Sequence, residues 1–228
     1  MIIGFGNKAQ QGKDTCAKIF HNLFPNDSII LHFADELKEE VKYIEGFLLI
    51  IHIPNSTNDI IIRNKKLITP EGIIKYEYKL VTDEKLKKLI LNYLNGKKSH
   101  VGMIDKDPIL LQLWGTDFRR NEDPDYWVNK VKEKINSLNK KYILIPDTRF
   151  KNEFEYIKSQ GGYYIRVTRK NYINNDRNPL HKSEIDLDDV VPDYEIIAEN
   201  GDIKSLEEQI KNIINDINEK EKNKNAKV

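Results

Sequence analysis

The first 15 residues constrain the fold more than any other part of the chain. An apolar run, Met1 to Phe5, leads into a loop that ends in Gly12-Lys13-Asp14-Thr15, and apolar residues then recur at helical spacing. A strand, a glycine-containing loop and a helix N-terminus that carries a lysine bring backbone N–H groups, a helix dipole and one cation together. We therefore predict a phosphate-binding loop on a strand–helix unit.

The loop departs from the usual phosphate-loop pattern at several places. Asn7 stands where the pattern has its first glycine, and asparagine is the non-glycine residue that best tolerates a left-handed backbone. Asp14 stands where a serine or threonine usually binds Mg²⁺, and a hydroxyl follows at Thr15. Gln10 and Gln11 replace small residues. The alternative interpretation is a glycine-containing strand-to-helix turn in which the lysine occurs by chance.

Composition narrows the class of protein. The chain has 228 residues, a formal net charge of +1 and one cysteine, Cys16. A nearly neutral chain has no overall field that would favour nucleic acid or a membrane surface. One cysteine excludes an intrachain disulfide, and no apolar run approaches the length of a membrane-spanning helix. We expect a cytoplasmic protein without nucleic-acid or membrane partners, with Cys16 in its core and a flexible tail over residues 219–228.

Strand-like and helix-like segments alternate along most of the chain. The predicted strands cover residues 1–5, 28–33, 142–146, 163–167 and 194–198. Predicted helices start near residues 13, 34, 150 and 205, the last with Ser205-x-x-Glu208 as a capping box. This alternation is typical of a parallel sheet with helices on both faces, where ligands bind beyond the carboxyl ends of the strands. The predicted fold class is therefore α/β.

Residues 46–100 interrupt that alternation. Short apolar runs at 46–51 and 60–62 and an alternating segment at 74–80 indicate short strands, and a helical pattern follows over 86–94. We interpret the whole segment as an inserted subdomain and expect it to influence which substrate is accepted.

Two further helix starts follow the insert, at Asp107-Pro108 and at Asp123-Pro124. Trp114 falls on the first of these helices and Trp127 on the second, each at an apolar position of the helical repeat. A place in the core is the better interpretation of both tryptophans, because aromatic residues at helical spacing usually pack inward.

Asp147 ends an apolar strand that reads Ile143-Leu144-Ile145-Pro146. A carboxylate at such a strand end can hold Mg²⁺, directly or through water, beside a phosphate-binding loop. The alternative is a cap on the helix that follows near Phe150.

Arginine is scarce in this lysine-rich chain, and several arginines follow predicted strands or helices. Arg149 and Arg169 come after two neighbouring strands, and Arg120 ends a predicted helix. A guanidinium binds phosphate oxygens in a bidentate fork, although a surface ion pair is the alternative for each one. Asp35 and Lys38 follow the second strand, where a second substrate often docks; the alternative is a helix start with an i,i+3 charge pair.

Taken as an ordered set, several segments resemble the deoxynucleoside monophosphate kinases of bacteriophages and other viruses, within the P-loop nucleoside monophosphate kinases. The resemblance spans nearly the whole chain except residues 46–100. The segments are Gly12-Lys13-Asp14-Thr15, Phe33-Ala34-Asp35-Glu36-Leu37-Lys38, Leu111 to Trp127, Asp147 to Glu153, Gly161-Gly162, Ile165-Arg166-Val167, His181-Lys182-Ser183-Glu184 and Asn200-Gly201.

The resemblance implies a three-layer P-loop kinase fold, in one domain over residues 1–218, with a lid near 169–184. It also implies transfer of the γ-phosphoryl group of ATP to a deoxynucleoside monophosphate, with Mg²⁺. The residues expected to hold ATP are Asn7, Lys8, Ala9, Gln10, Gln11, Gly12, Lys13, Asp14 and Thr15. Those expected to act on the phosphates are Lys13, Arg120, Arg149 and Arg169.

The resemblance further implies an acceptor site and a metal site. The expected acceptor residues are Asp35, Lys38, Arg120, Trp127, Asp147 and Arg149. The expected metal residues are Asp14, Thr15 and Asp147. The expected partners are small-molecule nucleotides, and a homodimer is left open. Two rival functions remain: another small-molecule P-loop kinase, and a nucleotide-binding module that does not transfer phosphate.

Overall fold

The structure is a computed structural model that describes residues 1–47, 61–68, 74–80, 84, 111, 113–172 and 179–226. The chain divides into two compact units. The first unit is formed by Met1–Ala34 and Trp127–Val228, and the second by Asp35–Tyr126. The predicted insert at 46–100 falls within the sequence of the second unit.

The described residues form seven strands, six α-helices and one π-helix. The strands are β1 (Ile2–Gly6), β2 (Ser28–Ile30), β3 (Ile61–Ile68), β4 (Ile74–Leu80), β5 (Tyr142–Thr148), β6 (Tyr163–Arg169) and β7 (Tyr194–Ala198). The helices are α1 (Lys13–Leu23), α2 (Ala34–Phe47), α3 (Tyr126–Asn136), α4 (Lys151–Ser159), α5 (Lys182–Ile185) and α6 (Ile203–Asn225). The π-helix covers Leu113–Arg120.

A five-stranded parallel sheet forms the centre of the first unit, in the order β2-β5-β1-β6-β7. The central strand, β1, pairs with β5 on one side and β6 on the other. Gly6 at its carboxyl end lies opposite Thr148 of β5 and Arg166 of β6. The loop after β1 therefore lies at the topological switch point of the sheet, where ligands bind in open α/β folds.

Helices cover both faces of this sheet, because successive residues of its strands point to opposite faces. Ile3 and Phe5 of β1 face α1 and α6, whereas Ile2 faces the other side, where α3 and α4 supply Val131 and Ile157. Both clusters consist of buried apolar side chains. The result is a three-layer α/β unit, which confirms the predicted fold class.

Some element boundaries differ from those predicted. Strand β2 ends at Ile30 instead of Phe33. The predicted strand at 46–51 is wrong at its start, because α2 runs through Phe47. The last helix begins at Ile203, since Asp202, not Ser205, is its N-cap and accepts from Ser205 N.

The second unit contains a two-stranded antiparallel sheet, in which β3 pairs with β4. This agrees with the hairpin-like strands predicted there. Most of the described part of the helix predicted from Pro108 is the π-helix. The predicted helix at 86–94 lies outside the described residues, as do residues 173–178 of the predicted lid. Among the residues that are described, no helix has both the length and the apolar character needed to cross a bilayer.

Candidate phosphate-binding site

The loop between β1 and α1 contains three residues with a positive φ angle. These are Asn7 (φ 133°), Gln10 (φ 58°) and Gly12 (φ 96°). Asn7 stands in place of the first glycine of the usual pattern, and it has a positive φ as expected. Gly12 is the N-cap of α1 and has no side chain to occupy the first N–H groups of the helix. These amides are suited to an anion, because the helix dipole adds partial positive charge at the same end.

Two side chains of the loop bind the end of β6. Asn7 Nδ2 donates to Val167 O at 2.8 Å and to Thr168 Oγ1 at 3.0 Å. Gln11 Oε1 accepts from Arg169 N at 2.7 Å. The loop is therefore held against the neighbouring strand by side-chain hydrogen bonds on both sides of its central residues.

A third contact reaches the loop from α5, the short helix at the end of the predicted lid. Glu184 Oε2 accepts from Ala9 N at 2.8 Å, and Glu184 Oε1 accepts from Arg149 Nη1 at 2.7 Å. The carboxylate is almost completely buried, with 5% of the side chain exposed, whereas 17% of Arg149 is exposed. One acidic side chain thus joins the loop to an arginine that the sequence assigned to phosphate binding.

Lys13 is the buried cation of the site, with 4% of the residue exposed. Its Nζ donates to Lys8 O across the loop. Burial first and the nearby Arg149 guanidinium second lower the pKa of Lys13 to about 7, against the opposing effects of Asp14, Glu184 and Asp147. A phosphate placed in the loop would restore the charged form, because an adjacent anion stabilises an ammonium group.

Asp147 caps a helix, although not the one anticipated. Its Oδ1 accepts from Phe33 N at 2.9 Å and its Oδ2 accepts from Ala34 N at 2.8 Å, so it caps the start of α2. The capping alternative was therefore wrong about the helix. At α4 it is Glu153 whose carboxylate accepts from the backbone, namely from Arg149 N at 2.7 Å and Phe150 N at 3.1 Å.

Asp14 and Thr15 lie side by side on the first turn of α1. Asp14 Oδ1 contacts His32 Nε2 at 3.1 Å, and this hydrogen bond lowers the pKa of the Asp14 carboxyl. Within the described residues there is no group of three or more His, Cys, Asp and Glu side chains that could hold a metal by themselves. A metal here would therefore need ligands from a bound phosphate as well, as Mg²⁺ in nucleotide sites usually has.

A pocket lies beside the loop on the side of β6 and β7. Its lining includes Gln11, Gly12, Thr15, Arg169 and Gly201. The guanidinium of Arg169 is also 4.6 Å from the centre of the Tyr172 ring, in a cation–π arrangement. Arg169 is thus placed at the mouth of the loop by a backbone bond and by stacking.

The remaining predicted residues of the second unit have local partners. Lys38 Nζ is 3.9 Å from Asp35 Oδ1, the i,i+3 pair that the sequence left as an alternative. Arg120 Nη1 donates to Pro124 O at 3.2 Å. These contacts leave open whether the three side chains also bind a substrate, so their predicted role remains a prediction.

Two candidates from the sequence are buried in the first unit. Trp127 is 2% exposed, so it offers almost no surface to a substrate and its burial favours the core interpretation. Cys16 is fully buried, and burial raises the pKa of its thiol to about 12. This agrees with a core residue instead of a reactive thiolate.

Sequence comparison adds the family to this geometry. A model of the deoxynucleotide monophosphate kinase family matches residues 53–210, which is more than half of the chain. The chain belongs to this family. The matched range contains Asp147, Arg149, Arg169 and Glu184, whereas the phosphate-binding loop lies before it.

This chain is also similar to a curated protein from Acanthamoeba polyphaga mimivirus. That protein is named "Putative deoxynucleotide monophosphate kinase". The two are 36% identical over 72 residues, which is 32% of this chain and 34% of the relative. The chain therefore matches about a third of the length of that protein.

Sequence reasoning did not assign a role to several residues that organise the site in this family member. Glu184 was noted within His181-Lys182-Ser183-Glu184 but was given no function, and Gln11 was expected to hold ATP but not to bind the backbone at Arg169. A buried acid that follows a histidine and a serine is a weak signal alone. Its importance depends on Ala9 and Arg149, which are 175 and 35 residues away in sequence.

In the second unit, the sequence also missed a cluster around Glu40. Glu40 Oε2 accepts from Trp114 Nε1 at 2.8 Å and from Arg119 Nε at 2.9 Å, and Glu40 Oε1 accepts from the Tyr126 hydroxyl. Arg119 also stacks on the Trp114 and Tyr126 rings, at 5.1 and 5.0 Å. The π-helix that carries Trp114 and Arg119 is a type of helix often found at functional sites.

Proposed function

We propose that this protein transfers the γ-phosphoryl group of ATP to the 5′-phosphate of a deoxynucleoside monophosphate. The observation that carries the proposal is Lys13, a buried ammonium group at the start of α1 that faces into a loop of positive-φ residues. Burying an amine with a pKa near 7 is costly unless an anion binds there, and a triphosphate is the anion that this loop geometry fits.

The donor would bind through the loop and α1. The first amides of α1 and the Lys13 ammonium would hold the β- and γ-phosphates. The neighbouring pocket, lined in part by Thr15, Arg169 and Gly201, would take the nucleoside of ATP. This arrangement would put the triphosphate chain at the carboxyl end of β1, at the switch point of the sheet.

The acceptor would be held by arginine. Arg149 follows β5 and is partly exposed, so its fork can bind the acceptor phosphate or the migrating phosphoryl group. Asp35, Lys38 and Arg120 of the second unit are proposed acceptor contacts on the basis of the resemblance. We leave Trp127 out of this set because its ring is buried.

Mg²⁺ fits the residues at the start of α1. Asp14 and Thr15 can hold it directly or through water, together with phosphate oxygens. The bound ion would neutralise charge on the β- and γ-phosphates. Asp147 fits less well as a direct ligand, because each of its oxygens already accepts a backbone N–H. We therefore assign Asp147 to the cap of α2 and, at most, to a water-mediated contact with the ion.

The chemistry of this transfer asks little of a covalent catalyst. An oxygen of the acceptor phosphate forms a bond to the γ-phosphorus, and the bond between that phosphorus and the β,γ-bridging oxygen of ATP breaks. ADP leaves with both electrons of the broken bond, and the acceptor becomes a diphosphate. The protein contributes alignment and positive charge, which here come from Lys13, Arg149 and Arg169.

A screen of acceptors tests this proposal. Purified protein is incubated with radiolabelled ATP and Mg²⁺, with each of the four common deoxynucleoside monophosphates, their ribonucleotide counterparts and non-nucleotide phosphates. Transfer to one or more deoxynucleoside monophosphates supports the proposal. Transfer only to a non-nucleotide acceptor would favour the other small-molecule kinase, and ATP binding without transfer would favour a binding module.

A further inference from the structure

We propose that Glu184 is a positioning residue that holds the phosphate-binding loop and Arg149 in the arrangement that phosphoryl transfer requires. The inference rests on the proposed function and deepens it, because it assigns a task to a residue outside the proposed nucleotide contacts. Both contacts come from one carboxylate, with Ala9 N on one oxygen and the Arg149 guanidinium on the other.

The first argument is burial. A carboxylate that is 95% removed from solvent is costly to bury unless its oxygens are paired. Here the Coulombic partner is Arg149 and the hydrogen-bond partner is a loop amide. Both partners belong to the site, so the pairing fixes the two functional elements relative to each other.

The second argument is the conformation of the loop. Asn7 and Gln10 are non-glycine residues with positive φ, a conformation that costs about 1–2 kcal/mol for each such residue. A loop under such strain relaxes unless its neighbours hold it. Asn7 and Gln11 bind the end of β6, and Glu184 binds the backbone at Ala9, midway between them.

The third argument is which amide Glu184 uses. The Ala9 N–H already has an acceptor, so a phosphate would bind the remaining amides of the loop and α1. A negative charge this close to bound phosphate would be unfavourable if it were free, but the Arg149 guanidinium balances it at 2.7 Å. Glu184 also helps to keep Lys13 charged, since its Coulombic effect opposes the loss of that proton.

The fourth argument is the place of Glu184 in the chain. It lies on α5 (Lys182–Ile185) and is the last residue of the segment 169–184 that the resemblance assigns to the lid. Arg169 at the start of that segment is also bound to the loop, through Gln11. The two ends of the segment are therefore both bonded to the phosphate-binding loop.

The first experiment tests the contact itself. Hydrogen exchange is measured on peptides that cover residues 7–12 in the nucleotide-free protein, for wild type, Glu184→Ala, Glu184→Gln and the exposed control Glu207→Gln. We expect Glu184→Ala to speed exchange at Ala9 and Glu184→Gln to retain part of the protection, because its amide oxygen can still accept. Unchanged exchange in Glu184→Ala would overturn the proposal whatever the activity of the protein.

The second experiment tests positioning by steady-state kinetics, with turnover assayed where melting curves show each variant to be folded. We expect Glu184→Ala to lower kcat by about 10- to 100-fold, the cost of a small misplacement, and to raise the KM for ATP. Glu184→Gln should keep a KM for ATP near that of wild type but show a reduced kcat, because Arg149 loses its charged partner. Glu207→Gln should match wild type in both constants.

The outcomes separate a positioning role from a purely structural one. If folded Glu184→Ala has wild-type kcat and KM and only a lower melting temperature, Glu184 is structural and the proposal fails. If Glu184→Ala does not fold, Glu184→Gln decides between the two roles. A reduced kcat with a KM for ATP near that of wild type supports positioning, and wild-type values of both constants overturn it. If wild type transfers phosphate to no monophosphate, the proposed function fails, and hydrogen exchange together with calorimetric ATP binding by the same variants still judges the role of Glu184.

Discussion

Asp147 and Ala34 are joined by a 2.8 Å hydrogen bond in which the Ala34 N–H donates to Asp147 Oδ2. The bond links the end of β5 to the first residue of α2, across 113 residues of sequence. With the parallel bond from Phe33 N, it satisfies two backbone donors that the start of a helix otherwise leaves unpaired. From sequence alone, this carboxylate could either hold a metal or cap the helix near Phe150; in the structure it caps the start of α2.

Replacing this carboxylate by an amide separates its two possible tasks. We expect Asp147→Asn to lower the free energy of unfolding by about 1–2 kcal/mol, because the charged cap of α2 is lost. The Mg²⁺ concentration for half-maximal activity should stay within about twofold of wild type, since Mg²⁺ sites in phosphoryl transfer draw most of their ligands from elsewhere. Urea unfolding and Mg²⁺ titration of turnover measure the two effects. A large rise in the Mg²⁺ midpoint without loss of stability would identify Asp147 as a ligand.

Lys13→Met tests the phosphate-binding loop. Methionine has a similar length but no charge, so we expect the protein to fold as wild type does and its free energy of unfolding at pH 7 to be unchanged or higher. Turnover should fall by about 100-fold or more, because a charge that stabilises the transferring phosphoryl group is removed. Circular dichroism and the transfer assay check the two parts. A folded variant with near-wild-type turnover would exclude Lys13 from the site.

The lowered pKa of Lys13 gives binding a pH dependence. Above about pH 8 the nucleotide-free protein holds this amine mostly neutral, and bound phosphates favour the ammonium form, so ATP binding takes up a proton. Affinity should therefore fall as the pH rises from about 7 to about 9, with an uptake approaching about one proton per ATP. Calorimetry in buffers of different ionisation enthalpy measures the uptake. Lys13→Met should show none, and an equal uptake in both proteins would assign the proton to another group.

The same shift affects the stability of the free protein. The folded-state pKa of Lys13 lies below the value of 10.5 expected for an unfolded lysine, so the unfolded chain binds more protons between these two values. The free energy of unfolding should therefore rise with pH across this interval, relative to Lys13→Met. Denaturant unfolding of both proteins from about pH 7 to about pH 10 measures the difference. A constant difference across the interval would mean that Lys13 has an ordinary pKa.

Arg169→Ala tests the arginine at the mouth of the loop. If its guanidinium contacts phosphate mainly in the reacting complex, kcat should fall more than the KM for the acceptor rises. Lys170→Ala is the matched control, because Lys170 is the next residue and its side chain forms only an exposed pair with Glu199 at 3.6 Å among the contacts described. Steady-state kinetics on both variants measure kcat and the KM for the acceptor. An equal change in Lys170→Ala, or a change confined to KM, would contradict the proposed role of Arg169.

The strands and helices of the first unit could be predicted because their signals are local. Ile143 to Ile145 form a continuous apolar run that is typical of a buried strand, and the helical spacing after Lys13 predicts α1. Boundaries were less certain where two signals compete. Asp202 and Ser205 are both good N-cap residues, and the structure uses the earlier one, which lengthens α6 by one turn at its start.

The contacts that organise the candidate site could not be predicted in the same way, because they join residues that are distant in sequence. Asp147 could be identified as important, but whether it caps α2 or α4 depends on where α2 begins in space. The phosphate-binding role of the loop residues could be predicted from their order alone, and it remains a prediction. That Ala9 is held by Glu184, and Gln11 by Arg169, follows only from the way β1 lies between β5 and β6.

The central position of β1 also has a consequence for the order of folding. The strand that carries the phosphate-binding loop is synthesised well before its partners, which begin at Tyr142 and Tyr163. Its N–H and C=O groups therefore lack their native strand partners until most of the chain has left the ribosome. Such non-local pairing is slow, and an apolar strand that waits for it is prone to aggregate. We expect nascent chains that end before β6 to need a chaperone, although they already contain the whole phosphate-binding loop.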